Sequence, residues 1–445
     1  MEKSMFTSAE LKKLIYPLII EQILAITVGM VDTVMISYAG EAAMSGVSLV
    51  DMINNLLISI FAAVATGGAV VVSQYLGSQN PKSASRAATQ LITVAFVIAA
   101  GFMLVSIIGN ESILRLLFGA IESDVMDSAC IYFLISAWSY PFLAVYNASA
   151  AIFRSMGNAK ISMKISIGMN IFNAIGNAIL IFGLSMGAAG AALSTLAARI
   201  LGAIVLLYLA TKKNLQVSVN MREVFKWESD MVGRILNIAI PSGIENGLFQ
   251  LGRVLVVSII ALFGTYQIAA NAVANTLDAM GCIAGQAMNL AMITVVGQCM
   301  GAGEKEQAVY YTRKLWKITY IITIAVNSVI LISLPWLLRL FALSPKAYKY
   351  AYILVMIHDG MAMFMWPTAF TLPNAMRAAG DVKYCMFISI FSMVVFRILL
   401  SIVLGIWMGW GAIGVWLAMI VDWTFRVILF VWRFVSRKWL EYKVI

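Results

Sequence analysis

Twelve apolar runs, each long enough to cross a bilayer, exclude most of the folds otherwise open to a 445-residue chain. Crossing roughly 30 Å of hydrocarbon takes about 20 helical residues. Inside lipid each segment must satisfy its own backbone N–H and C=O groups, so such runs become helices. They lie near residues 14–38, 48–76, 87–109, 126–150, 161–183, 188–210, 235–263, 268–298, 315–334, 348–373, 384–405 and 411–433. Charged residues make up 12% of the chain, about half of the roughly 25% usual for a soluble domain. The expected fold is an all-α membrane protein. The first run is too long for a cleaved signal peptide, so it is expected to remain as the first span.

A net charge of +10 would suit a nucleic-acid surface only if the basic residues clustered on a solvated face. They fall instead in the short connections. With the amino terminus inside, most of the 31 Lys and Arg are cytoplasmic, including Lys12, Lys13, Lys212, Lys213, Arg222, Lys226, Lys305, Arg437 and Lys438. Outer loops hold Arg115, Arg339, Lys346 and Lys349. Positive charge resists translocation, so a multi-pass protein of the plasma (inner) membrane with both termini cytoplasmic is expected. Its partner is the lipid bilayer, and no nucleic acid is expected. Cys130, Cys282, Cys299 and Cys385 have unrelated spacings that suggest neither a disulfide framework nor a metal site.

The chain repeats itself. Pro17-x-x-x-Glu21 returns as Pro241-x-x-x-Glu245, and Gln74-x-x-Gly77 as Gln298-x-x-Gly301, at a spacing of 224 residues. Arg154-x-x-Gly157-x-x-Lys160 returns as Arg377-x-x-Gly380-x-x-Lys383 at 223, and Gly187-x-x-Gly190 as Gly411-x-x-Gly414 at 224 again. Each copy holds six spans, an even number, so both copies start on the same side of the membrane and the repeat is parallel. The expected organisation is an amino-terminal lobe at 1–210, a cytoplasmic linker at 211–234 and a carboxy-terminal lobe at 235–445. Two pseudo-symmetric six-helix lobes around one route suit alternating access.

Intramembrane carboxylates are costly and are functional candidates by default. Seven acids lie in the spans: Glu21, Asp32, Asp51, Glu245, Asp278, Asp359 and Asp422. Arg199, Arg253, Arg397 and Arg426 share the spans and offer ion pairs to some of them. Depth singles out Asp32. It precedes Gly40 by eight residues, Asn173 and Asn177 precede Gly183 by ten and six, and Thr195 follows Gly187 by eight. At about 1.5 Å per residue all four lie roughly 9–15 Å below the outer surface. One carboxylate, two amide carbonyls and a hydroxyl make an oxygen cage for a small hard cation such as Na⁺, held by Asp32, Asn173 and Asn177. The same groups equally suit a proton on Asp32, or plain hydrogen bonding between helices.

Asp51 and Asn54 lie one turn apart and map through the repeat onto Asn275 and Asp278, the same acid–amide pair in exchanged order. They suit either a substrate cavity for a cationic solute or a polar seam between lobes. Span 10 contains His358-Asp359-Gly360-Met361-Ala362-Met363-Phe364-Met365-Trp366-Pro367. Its methionines and Trp366 suit an adaptable apolar binding wall, with Met363 and Trp366 as cavity candidates, or ordinary lipid-facing surface. His358 is either a proton-relay partner of Asp359 or a helix neighbour. Glu245 joins the cavity candidates.

Taken together the sequence resembles the multidrug and toxic compound extrusion (MATE) family. The resemblance rests on Val31-Asp32-Thr33 followed by Gly40, and on Ser73-Gln74-Tyr75-Leu76-Gly77 with its echo Gly297-Gln298-Cys299-Met300-Gly301. It rests further on Arg154-Ser155-Met156-Gly157-Asn158 with Arg377-Ala378-Ala379-Gly380-Asp381, on Asn173 and Asn177 before Ile181-Phe182-Gly183, and on Gly187-Ala188-Ala189-Gly190 before Thr195. The resemblance implies two six-helix lobes that export organic, usually cationic compounds in exchange for entering H⁺ or Na⁺. It implies an amino-lobe cation site at Asp32, Asn173, Asn177 and Thr195. The carboxy-lobe acids of one branch are not matched, since Trp366 stands near the place of its Asp and Glu245 sits closer to its Pro.

The expected function is therefore secondary active multidrug efflux by a monomer, with small organic cationic substrates and with H⁺ or Na⁺ as the coupling ion in place of any cofactor. A flippase for lipid-linked precursors is the alternative reading. A membrane-embedded enzyme would need a nucleophile, metal ligands or an acid–base pair beside a groove, and no such cluster is legible.

Overall fold

The computed structural model describes residues 4–119 and 121–445. Twelve helices in it are long and apolar enough to span a membrane: α1 Ser8–Ser37, α2 Glu41–Gly77, α3 Pro81–Ile108, α4 Ser123–Ser155, α5 Ala159–Gly183, α6 Gly187–Ala210, α7 Ser229–Ala261, α8 Thr265–Gly301, α9 Lys305–Arg339, α10 Pro345–Ala379, α11 Val382–Trp407 and α12 Gly411–Val435. A short helix, Asn110–Phe118, follows α3, and no strand occurs among the described residues. Ends are set by local chemistry. Thr7 and Glu10 close a capping box at the start of α1, each side chain accepting from the other's backbone N–H. Pro81 and Pro345 occupy first-turn positions whose N–H has no helical partner to lose.

Large apolar side chains point outward in numbers a water-soluble surface does not carry; Ile108, Ile332 and Trp407 are all more than 70% exposed. That is the surface lipid covers. Contacts divide the chain into two compact units, Phe6–Gly243 and Ile244–Val444, the latter joined by Ser4 and Met5. In the first unit α4 is central, packed on α2, α3 and α6, while α1 lies along α5 and α5 along α6. In the second unit α8 is central, packed on α9 and α10, with α12 against α10 and α11.

The polar segment between α6 and α7 is not free-standing. One stripe of α3 holds it: Ser85 Oγ and Thr89 Oγ1 accept the backbone N–H groups of Ser218 and Asn220, both at 3.1 Å. Gln90 donates to the Lys226 carbonyl at 2.7 Å, Thr93 donates to the Val224 carbonyl, and Arg86 pairs with Glu228. The linker therefore belongs with the first unit, and the division between units falls inside α7, after Gly243.

The one-residue slip in the repeat has a structural cause. α11 contains a π-helical stretch, Met393–Leu399, absent from the corresponding part of α5. A π-turn accommodates one inserted residue within a helix. Further along, the π-turn Ala178–Gly183 in α5 and its counterpart Ile402–Trp407 in α11 are in register again.

Candidate functional site

The seven intramembrane acids separate by counter-charge. Glu21 lies 3.9 Å from Arg154, Glu245 accepts from Arg377 at 2.7 Å, and Asp422 is held by Arg426 at 3.0 Å and Arg397 at 3.5 Å. Such acids are fixed, because moving either partner strands the other in low dielectric. The first two pairs are the sequence repeat made physical: the Glu after Pro17 or Pro241 meets the Arg before Gly157 or Gly380. Among the described residues, Asp32, Asp51, Asp278 and Asp359 have no arginine or lysine within ion-pair distance.

Asp32 on α1 is half-buried and faces α5, where Asn173 and Asn177 share one face by their four-residue spacing. Asn173 Nδ2 lies 3.1 Å from both carboxylate oxygens, and Asn177 Nδ2 donates to Oδ1 at 2.7 Å. The three residues expected from depth are therefore in direct contact. The oxygen cage needs a correction. The amides turn nitrogen, not oxygen, toward Asp32, because an ionised carboxylate only accepts hydrogen bonds. Thr195 stands one step back, donating to Asn173 Oδ1 at 3.4 Å.

Ser194 supplies the stronger hold, donating at 3.0 Å to Asn173 Oδ1 with the Asn173 backbone carbonyl at 2.8 Å. Sequence reasoning missed Ser194 because counting depth does not resolve helix face. Gly176 makes room for it: a Cβ there would lie 2.5 Å from Ser194 Oγ. Asn177 Oδ1 is buried with no hydrogen-bond partner. A half-turn of the Asn177 amide exchanges this oxygen for its donor, so the residues fit either state: amide N–H for the carboxylate, amide oxygen for a cation or a protonated acid.

Deeper in the same unit Asp51 accepts from Asn54 Nδ2 at 3.3 Å and Tyr132 Oη at 3.2 Å, while Tyr140 Oη donates to Asn54 Oδ1 at 2.8 Å. Arg199 donates to Ser139 Oγ at 2.6 Å. The α4 residues Tyr132, Ser136, Ser139 and Tyr140 form a polar stripe at helical spacing. The signal was present in the sequence, hidden because tyrosines count as apolar in a hydropathy reading.

The expected match between Asp51–Asn54 and Asp278–Asn275 does not carry through. Asp278 on α8 turns to His358 of α10, whose Nδ1 lies 3.0 Å from its Oδ1 and 2.8 Å from Asp359 Oδ1. His358 is thus bound to Asp359, and more than a helix neighbour. Three other cavity candidates have settled positions. Glu245 is tied to Arg377. Trp366 is buried in the second unit's core, its ring filling the space where a Cβ on Gly285 would be. Met363 is half-buried with its sulfur 3.7 Å from Ser328 Oγ.

Repeated six-helix halves with acids buried among helices mark a multi-pass membrane protein of transporter build. The MatE family model matches twice, over residues 17–179 and 241–403, starting points separated by the spacing of the repeat. The chain belongs to the MatE family. An uncharacterized transporter, YisQ, of Bacillus subtilis is 28% identical over 99% of both chains. A probable multidrug resistance protein, NorM, of Thermotoga maritima is 26% identical over 97% of this chain and 92% of that one. Among solved structures, a MOP superfamily transporter from Pyrococcus furiosus superposes with a TM-score of 0.90 at 18% identity, covering 98% of this chain and 96% of that one. An outward-facing MATE family multidrug resistance transporter superposes with a TM-score of 0.89 at 18% identity, covering 96% of each. These establish the twelve-helix fold.

Proposed function

We propose that this protein is a secondary active exporter of small organic cations, driven by H⁺ or Na⁺ entering from outside and opening alternately to either side of the inner membrane. The observation that carries the reading is Asp32. It is a half-buried carboxylate with no cationic side chain to neutralise it, solvated by two amides that can reverse their polarity. Such a group binds a cation reversibly, whereas an arginine-paired acid does not.

Neutralising Asp32 converts charge-assisted hydrogen bonds from Asn173 and Asn177 into neutral ones, about half as strong. These bonds join α1 to α5, so ion binding is felt as a change in how α1 is held. Acids without arginine partners in both units favour cationic over anionic cargo, which weighs against the lipid-precursor flippase.

Purified protein in proteoliposomes, given an imposed pH gradient or an imposed Na⁺ gradient separately, identifies the coupling ion by which gradient drives uptake of a fluorescent organic cation. The Asp32→Asn variant is expected to lose gradient-driven transport while still binding substrate. Undiminished gradient-driven transport in that variant would refute the assignment.

A further inference from the structure

His358 and the two carboxylates around it carry a charge problem. Asp359 is fully buried, His358 is 5% exposed and Asp278 9%. One ring nitrogen, Nδ1, faces an oxygen of each acid, at 2.8 and 3.0 Å. A single N–H serves one acceptor well, and it serves Asp359. Asp278 Oδ1 and Asp359 Oδ2 are left buried with no hydrogen-bond partner. With both acids ionised and the imidazole protonated the group still carries a net negative charge, which low dielectric makes costly unless another proton joins it.

The surroundings supply no neutralising cation. From α12, Trp416 and Trp423 set their rings edge-on to the imidazole, at centroid distances of 5.8 and 5.0 Å. Trp423 Nε1 is itself buried without a partner. From α9, uncharged Asn327 donates to the Gly281 carbonyl of α8. On α8, Cys282 lies one turn from Asp278, and Arg253 of α7 acts on this region only through space, its side chain being exposed. Arg397, Arg426 and Asp422 satisfy one another elsewhere on α11 and α12.

We propose that Asp278, His358 and Asp359 form an exchangeable-proton site in the second unit, separate from Asp32 and shared between α8 and α10. Loaded, the proton lies between carboxylate and imidazole and holds α8 to α10. Unloaded, two like charges on the two helices face each other across one ring. The inference does not rest on the coupling role of Asp32.

The test uses a property of this sequence: His358 is its only histidine. Full-length protein carrying a tag without histidine and labelled with ¹⁵N-histidine gives a single imidazole to follow by NMR. In the wild type, the ring signals are expected to move with pH between about 5 and 9 and to report an Nδ1–H hydrogen bond. Asp278→Asn is expected to shift the half-transition by about tenfold in proton concentration. Asp32→Asn is expected to leave it unchanged, so this site can stand or fall apart from the coupling assignment. The wild-type measurement needs no variant to fold. A ring signal constant over that range, or a transition unaffected by Asp278→Asn, overturns the proposal. So does stoichiometric Zn²⁺ binding that Asp278→Asn abolishes, which would make the cluster a metal site instead.

Discussion

Asn173 receives two hydroxyls, from Ser194 and Thr195, on its amide oxygen while its nitrogen faces both oxygens of Asp32. That polarity is imposed from behind by Ser194, the shorter contact. Removing the Ser194 hydroxyl costs about 1 kcal/mol in stability, yet frees the amide to present either end to Asp32. Ser194→Ala is therefore expected to change the ion concentration for half-maximal export several-fold while the protein stays folded. Gly176→Ala is expected to reproduce that shift, since its methyl would displace the same hydroxyl, at a further cost of about 1–3 kcal/mol for overpacking. Export measured at graded ion concentrations, with thermal unfolding beside it, checks both. Equal ion dependence in wild type and Ser194→Ala would remove Ser194 from the site. Asp32, Asn173 and Asn177 were legible in the sequence because helical rise converts residue number into depth. Ser194 and Tyr132 were not, because the face a side chain takes depends on which helices pack together. The bond from Asp278 to His358 joins positions 80 residues apart on different spans, and no local pattern encodes it.

Helices α1 and α4, and their counterparts α7 and α10, are cross-linked by the repeated glutamate–arginine pairs. The second-unit pair is short, at 2.7 Å, with both side chains under 15% exposed; the first-unit pair is longer, at 3.9 Å. Breaking a buried pair by deleting one partner costs about 3–5 kcal/mol, because the other charge remains unpaired. Arg377→Ala is thus expected to lower thermal stability by that order, and Arg154→Ala by less. The double variant Glu245→Gln/Arg377→Gln is expected to recover much of the loss, since neither charge is then stranded. Unfolding of the detergent-solubilised variants measures it, and equal losses in the single and double variants would contradict the account. The spans themselves were legible because lipid dictates their length and polarity. Their fine structure was less so. The linker is docked on α3 because a stripe of Ser85, Thr89, Gln90 and Thr93 offers hydrogen bonds to its backbone, and a polar composition alone does not distinguish a docked segment from a free one.

At the level of the whole chain, the repeat has kept its scaffold and diverged in its chemistry. Both units retain the glutamate–arginine pair and the π-turn near the end of the fifth span of each copy. The position matching Asp32 in the second copy, however, is Val256, 9% exposed and part of that unit's apolar core. The π-helical stretch Met393–Leu399 carries Arg397 through the register where the first unit has Asn173, and Arg397 is already committed to Asp422. Ion binding at an Asp32-type site is therefore confined to one unit, and a carboxylate placed at the matching position would meet apolar packing and an arginine in place of two amides. Val256→Asp added to Asp32→Asn is expected not to restore gradient-driven export. It is also expected to lower stability, because an acid there is either unpaired in the core or locked to Arg397, and neither state exchanges an ion. Efflux by proteoliposomes of the double variant, with unfolding measured alongside, tests this. Restored export would mean that the amides around Asp32 are dispensable and that depth in the membrane alone makes a coupling carboxylate.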